Sequence, residues 1–458
     1  MLKKSPDALV IISVVLVLFV ILTWLIPSGE YSRELVNGRT VVVPGTYQQV
    51  EANPQNLGDL LVAPIKGMIS AANIIAFVLL VGGAFSILTA TGALDAALGS
   101  VLKFAERNPG MRHLIIPVLM IIFSLAGCTF GMSEENLVFI LITIPLARSM
   151  GYDNIVGVAI PFIGSAAGFA GASINPFTVG IAQGIAELPI GSGAAYRWVV
   201  WAIFTAIAIT FVMIYVLKLE KNKNASLLPE TELDLDKVDQ GEFTGRRKIV
   251  LLVFLAAIIL LMIGANQWGW YINEISGLFL AMGIVSAIVM WMPLSKVIKS
   301  FTSGAKDMLV AAIIIGLSKS VLVVAEDGKI IDTLLHAMTG AVEDLPQAVS
   351  VQMMFITQGF INIFVPSGSG QAAITMPIMT PLADLLGIAR QSAVLAFQFG
   401  DGLLNLIIPT SGVTMGILAI AKIPYNIWLK WIWKLILVFA IFSGILLAVP
   451  EFIDVWPS

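Results

Sequence analysis

The stretch Gly127-Cys-Thr-Phe-Gly-Met-Ser-Glu-Glu-Asn136 decides the fold, read together with its echo Val365-Pro-Ser-Gly-Ser-Gly-Gln371. Each is a short polar, glycine-rich break inside an otherwise apolar run. After a further hydrophobic segment comes a second break, Ser173-Ile-Asn-Pro-Phe-Thr178 in one case and Gln398-Phe-Gly-Asp-Gly402 running to Ile408-Pro-Thr-Ser411 in the other. Backbone that leaves the helix at membrane depth survives only where it is buried in protein or lines a wet cavity. Paired breaks at matching places in two halves point to the binding site of a transporter.

Composition sets the solvent. The 458 residues are 58% hydrophobic and only 12% charged, where a soluble chain would carry about 25% charge. Long unbroken apolar runs exclude the alternating pattern of a membrane β-barrel, which leaves a polytopic helical membrane protein in a lipid bilayer. The net charge of −3 implies no nucleic-acid partner, and the single Cys128 gives neither a disulfide framework nor a thiol metal cluster. His113 and His336 are too few and too far apart for a metal site. No phosphate-binding loop suggests an ATP-driven pump, and no nucleophile–base arrangement suggests an enzyme. Met1-Leu-Lys-Lys precedes an apolar run at about 8–27, longer than a signal peptide needs; it reads as a retained span, with a signal peptide as the alternative.

Further spans of roughly 20 residues are expected near 71–91, 194–218, 249–266, 275–293, 308–325 and 430–450. The polar segment 28–58 reads as an extramembrane loop. The segment 219–248, with Lys221, Lys223 and Gly245-Arg-Arg-Lys248, reads as a cytoplasmic linker dividing the chain into a first repeat, 1–218, and a second, 249–458. Landmarks recur at nearly one offset: Gly67 and Gly304 lie 237 apart, Pro145-Leu-Ala147 and Pro381-Leu-Ala383 236 apart, and Pro176 and Pro409 233 apart. Thr91-Gly-Ala-Leu-Asp95 likewise matches Asp327-Gly-Lys-Ile-Ile-Asp332.

Cytoplasmic loops collect Lys and Arg. Lys103, Arg107 and Arg112 follow the first-repeat span, whereas Glu326, Asp327, Glu343 and Asp344, with only Lys329, follow its counterpart; Lys296, Lys299 and Lys306 precede that counterpart. Lys218 follows the last span of one repeat, and Lys430 and Lys434 precede the last span of the other. These asymmetries predict an all-α fold of two inverted-topology repeats, with a cytoplasmic N-terminus and an outside C-terminus. The parity closes if the polar tips belong to re-entrant hairpins, at about 112–149 and 348–386, followed by broken helices at about 155–185 and 390–421.

Helices that stop at mid-membrane present partial charges to a solute. The first tip offers Ser133, Glu134, Glu135 and Asn136; the second offers the neutral Ser367, Ser369 and Gln371. The second breaks add Ser173, Asn175 and Thr178 from one repeat, and Gln398, Asp401, Asn405, Thr410 and Ser411 from the other. Intramembrane charge is costly, so Asp401 is the first candidate for recognising charge, with Glu134 or Glu135 second. Lys319, inside the 308–325 span where the other repeat has Gly83, reads either as a carboxylate anchor or as a fixed counter-ion for an acid. The adjacent glutamates point about 100° apart on a helix, so one faces the cavity and the other caps a helix N-terminus. Gly164, Ala167, Gly168 and Gly171 read as close helix packing, and the prolines as kinks or breaks. Na⁺ would find oxygen ligands near Asn175, Thr178, Asp401 and Asn405. Three acids against one lysine suit an amine, a cation or a coupling proton.

Phe130-Gly-Met-Ser-Glu-Glu135, Asn175-Pro-Phe177, Ala182-Gln-Gly-Ile-Ala186, Ser367-Gly-Ser-Gly-Gln-Ala-Ala373 and Leu395-Ala-Phe-Gln-Phe-Gly-Asp-Gly402 resemble the YfcC family. That family belongs to the DcuC-like C4-dicarboxylate carrier group of the ion transporter superfamily. The resemblance covers essentially the whole chain. It implies a bacterial inner-membrane secondary transporter, a scaffold with a mobile hairpin-bearing domain, a homodimer and an elevator movement. The chain departs from the Ser-Asn-Thr tip motif of the superfamily's Na⁺/dicarboxylate carriers. The reading is therefore an alternating-access transporter, symporter or antiporter, of a small amino acid or related organic ion. It is coupled to Na⁺, to H⁺ or to exchange, with an arginine/ornithine-type basic amino acid favoured and no resident cofactor. The alternatives are a C4-dicarboxylate carrier and, more remotely, an ion channel.

Overall fold

A computed structural model describes residues 8–36, 39–94, 96, 109–173, 175, 177–228, 244–340, 346–453 and 455–456. Asp95, Lys103, Arg107, Pro176, Glu343, Asp344 and residues 229–243 of the expected linker lie outside them. The apolar runs become α1 (Ala8–Leu25), α3 (Ala72–Ala90), α8 (Ala194–Lys221), α9 (Gly245–Gln267), α10 (Ile272–Val289), α12 (Leu309–Asp327) and α18 (Tyr425–Ala448). Among the described residues, six helices are long and apolar enough to cross a membrane.

The first expected hairpin is α4 (Pro109–Phe130) and α5 (Asn136–Ser149); the second is α14 (Gln347–Phe364) and α15 (Gly368–Leu385). Each broken helix is a pair, α6 (Asn154–Gly171) with α7 (Val179–Ile185), and α16 (Arg390–Leu404) with α17 (Gly412–Ile420). Polar side chains set the starts. Asp153 accepts from the Val156 N–H at 3.2 Å, Ser367 caps α15 through the Gly370 N–H at 3.4 Å, and Ser411 caps α17 through the Thr414 N–H at 3.4 Å. Such caps satisfy donors that a helix start leaves unpaired.

The segment 28–58 departs from a plain loop in an all-α chain. It folds into two antiparallel two-stranded pairs, β1 (Gly29–Glu30) with β4 (Gln48–Gln49) and β2 (Arg33–Val36) with β3 (Arg39–Val42). Arg33 bonds Asp332 at 2.9 Å, the Tyr31 N–H donates to the same carboxylate at 2.9 Å, and Tyr47 stacks on His336 at 4.0 Å. These contacts place 28–56 and 326–336 at one end of the molecule. There the Asp327 carboxylate, 2.6 Å from Lys66, holds that ammonium above its ordinary pKa. At the opposite end Gly92 lies against Arg247, and Arg247, Trp291 and Lys296 line one depression.

Two short amphipathic helices complete the chain, α2 (Leu57–Ser70) and α11 (Leu294–Asp307), with α13 (Ile331–Gly340) after α12. Contacts repeat between halves. α1 and α2 pack on α12 of the other half, as α10 and α11 pack on α3; α5 meets α17, as α15 meets α7. Asn154, opening α6, donates to the Ala421 carbonyl just past α17, while Arg390, opening α16, donates to the Ala186 carbonyl just past α7, each at 2.8 Å. The two interrupted helices therefore lie antiparallel. One group of helices comprises α1–α3 and α9–α12; the other comprises α4–α8 and α14–α18, which carries both hairpins and both breaks.

Glycine sets the closest approach within that second group. A Cβ on Gly168 of α6 would stand 1.8 Å from the Ser124 carbonyl oxygen of α4, and one on Gly127 of α4 would stand 2.0 Å from that of Ser165. Backbone cannot retreat as a flexible side chain does, so overpacking here costs at least about 1–3 kcal/mol. Thermal unfolding in detergent should show Gly168→Ala with a clearly lowered Tm, whereas Gly184→Ala, with nothing within 4 Å of the new methyl, should match the parent.

Candidate functional site

A cavity of about 430 Å³ lies between the two groups of helices. One wall is built from the hairpin tips and breaks: Ser133, Glu134, Glu135, Thr178, Ser367, Ser369, Asn405, Thr410 and Ser411. The other comes from Ile74 of α3, Ile315 and Lys319 of α12, and Trp270, Tyr271 and Ile275 around the start of α10. Its size falls among small-molecule sites.

The first tip is held by its own polar groups. Gly131 takes φ +72°, open to glycine without steric cost, and a Cβ there would meet the Asn175 amide at 2.6 Å. Asn136 donates to the Ser133 carbonyl at 2.9 Å and to Ser165 Oγ at 2.8 Å, tying the tip to α6. The two glutamates divide their roles. Glu135 is buried and accepts from the Ser133 N–H at 3.1 Å; Glu134 is half-buried, and the Tyr271 hydroxyl donates to its Oε1 at 3.5 Å.

The second tip presses on both breaks. A Cβ on Gly368 would stand 2.4 Å from Thr178 Cγ2 and 2.8 Å from Asp401 Oδ2. Asp401 is fully buried behind this tip, and its backbone carbonyl accepts from Asn362 at 2.6 Å and from Asn405 at 2.8 Å. Asn405 in turn has its carbonyl bonded by the Thr414 hydroxyl. Asp401 Oδ2, Thr178 Oγ1, Asn405 Oδ1 and Thr410 Oγ1 are buried with no hydrogen-bond partner; of these residues, Thr178 and Asp401 border Gly368.

Of the residues singled out in the sequence, Ser133, Glu134, Glu135, Thr178, Lys319, Ser367, Ser369, Asn405, Thr410 and Ser411 meet at the cavity. Asn136, Ser173, Asn175, Gln371, Gln398 and Asp401 lie behind its wall. Ser173 pairs with Cys128 Sγ at 2.8 Å, Gln371 donates to the Gln358 carbonyl at 2.9 Å, and Gln398 donates to the Phe169 carbonyl at 2.5 Å. Asn175 accepts from the Phe177 N–H at 2.8 Å. Lys319 is half-buried in the cavity and forms no ion pair within 4 Å with Glu134 or Asp401. No group of His, Cys, Asp and Glu capable of holding a metal ion occurs among the described residues. Sequence reading missed Trp270, Tyr271 and Phe177. The run Trp268-Gly-Trp-Tyr271 at the end of an apolar stretch reads as an interfacial aromatic belt, and only the fold turns it inward.

The family model described as "C4-dicarboxylate anaerobic carrier" (DcuC) matches residues 5–450. A relative from Escherichia coli (strain K12), named "Putative basic amino acid antiporter YfcC", is 36% identical over 468 residues, covering 93% of this chain and 92% of its own. An uncharacterized protein of Haemophilus influenzae is 28% identical over 494 residues, covering 97% and 96%. Among solved structures, MtrF of Neisseria gonorrhoeae, from a class of antimetabolite efflux pumps, aligns with a TM-score of 0.43 at 16% identity, over 99% of this chain and 96% of that one. The Alcanivorax borkumensis YdaH transporter aligns with a TM-score of 0.41 at 16% identity, over 99% and 100%.

The division between the glutamates is open to test. Glu135→Ala leaves the Ser133 N–H without its acceptor, at a cost of about 1–3 kcal/mol, so its Tm in detergent should fall. Glu134→Ala removes a cavity-facing group and should leave the Tm close to the parent.

Proposed function

The chain belongs to the DcuC family of C4-dicarboxylate anaerobic carriers, and we propose on that basis that it is a secondary active transporter of a small amino acid, with a basic amino acid of the arginine/ornithine type favoured. The observation that carries this reading is the pair of opposite charges in one cavity. Glu134 stands on the hairpin tip and Lys319 on α12, each half-buried and not paired with the other. A basic amino acid satisfies both: its side-chain cation meets Glu134, and its carboxylate meets Lys319 together with the N-termini of α15 and α17, which carry partial positive charge. A C4-dicarboxylate, the alternative, would use the lysine and the same helix ends but leave Glu134 repelled. The printed name of the Escherichia coli relative points the same way.

The reciprocal packing of the halves and the antiparallel broken helices support two inverted repeats, with 219–248 as the cytoplasmic link between them. The hairpins are read as re-entrant, the first from the cytoplasm and the second from outside, in a chain with its N-terminus cytoplasmic, its C-terminus outside, and the bacterial inner membrane as its home. The group α4–α8 with α14–α18 is the unit that would move past α1–α3 and α9–α12, in an elevator, with two copies of the chain in a dimer. Coupling fits the buried, unpartnered oxygens of Thr178 and Asp401 beside Gly368, with Asn405 next to Asp401, which suit Na⁺ or a proton. An ion channel finds less support, since tips seated on the breaks leave no continuous pore.

Exchange in proteoliposomes tests the reading. Internal arginine or ornithine should drive uptake of labelled arginine, and Glu134→Gln and Lys319→Met should each lower it roughly tenfold or more, the scale of a lost charged hydrogen bond. Exchange of succinate without any response to amino acids, at the same rate in Glu134→Gln, would move the assignment to the dicarboxylate class.

A further inference from the structure

We infer that Tyr271, Trp270 and Phe177 form, beside Glu134, the subsite for the cationic end of the substrate, and that this subsite prefers a planar guanidinium to an ammonium. The inference rests on the transport of a cationic amino acid proposed above and goes further by assigning which end of the solute lies where.

Three separate elements converge on this corner. Glu134 closes the turn before α5, Phe177 lies in the break before α7, and Trp270-Tyr271 joins α9 to α10. The Tyr271 and Phe177 rings lie 5.4 Å apart with planes inclined by 33°, and the Tyr271 hydroxyl donates to Glu134 at 3.5 Å. Tyr271 keeps 47% of its surface exposed while lining the cavity, so an aromatic face is left for a solute. Trp270 is half-buried on the same wall.

A carboxylate flanked by aromatic faces is a recognition element for an organic cation, because the ring quadrupole and the anion attract the same charge. A carboxylate-bearing end would be repelled by Glu134 and gain nothing from the rings. The delocalised guanidinium, weakly hydrated, can stack on a ring and still direct two N–H groups at Glu134, whereas an ammonium is a compact point charge with a firmer water shell. Lys319 and the capped starts of α15 and α17, which line the same cavity, then take the α-carboxylate.

Binding of arginine, ornithine, agmatine and succinate to the detergent-purified full chain, by calorimetry, tests this. Wild type should bind arginine more tightly than ornithine. Tyr271→Leu and Trp270→Leu should each weaken arginine about tenfold and ornithine about threefold, the range set by cation–π attraction. Tyr271→Phe, which retains the ring, should lose less than Tyr271→Leu. Agmatine, lacking the carboxylate, should be insensitive to Lys319→Met yet respond to Tyr271→Leu as arginine does. Arginine binding unchanged in both leucine variants would overturn the subsite while leaving the transport class intact. Equal losses for arginine and ornithine would overturn the guanidinium preference. A wild type that binds succinate and no cation would instead remove the amino-acid reading itself.

Discussion

A helix that ends inside a non-polar slab leaves about four N–H or four C=O groups without partners, and lipid supplies none. Here two tips and two breaks lie near one another, and polar side chains cover groups at their ends. Ser367 and Ser411 cap the starts of α15 and α17, Asn136 ties the first tip to its own carbonyl and to α6, and Asn362 and Asn405 take up the carbonyl at Asp401. Interrupted backbone is tolerated because the interruptions are neighbours. Move the first tip away, and the bond from Asn136 to Ser165 of α6 is lost.

That mutual cover explains where glycine is spent. Gly127 and Gly168 bring α4 within backbone contact of α6, Gly131 lets the first tip rest on Asn175, and Gly368 lets the second rest on Thr178 and Asp401. Each contact would be filled by one methyl group. The hairpins and broken helices are thereby joined by short-range contacts that have little slack, while the cavity between the two helix groups retains room for a solute.

Much of this was legible in the chain. Polar glycine-rich interruptions flanked by apolar residues fall where the structure interrupts its helices, between α4 and α5, α6 and α7, α14 and α15, and α16 and α17. Loop charge predicted an orientation; the structure itself brings Tyr31 and Arg33 to Asp332. The rest depended on side-chain direction. Both Glu134 and Glu135 border the cavity, and what distinguishes them, the bonds from the Ser133 N–H to Glu135 and from Tyr271 to Glu134, has no local sequence signal. Asp401 and Gln371 are as polar as Ser369, yet lie behind the wall, Asp401 against Gly368 at the start of α15 and Gln371 against Gln358 of α14. Tyr271 was not singled out, since no local pattern distinguishes an aromatic that anchors at the surface from one folded over a cavity. The short β-pairs of 28–58 escaped notice because strands of two to four residues have no periodicity to read.

The burial of charge ties these threads together. Two unit charges at 4 Å attract by about 4 kcal/mol at an effective dielectric constant of 20, and the attraction falls as they separate. Glu134 and Lys319 come from different helix groups and do not reach pairing distance, so each is partly stripped of water without being compensated by the other. A solute that carries both signs restores both interactions at once and bridges the two groups as it does so. A solute with one sign restores only one and leaves the other charge still short of a partner. On the function proposed above, the same two side chains would favour a zwitterion, whose binding would then touch both helix groups.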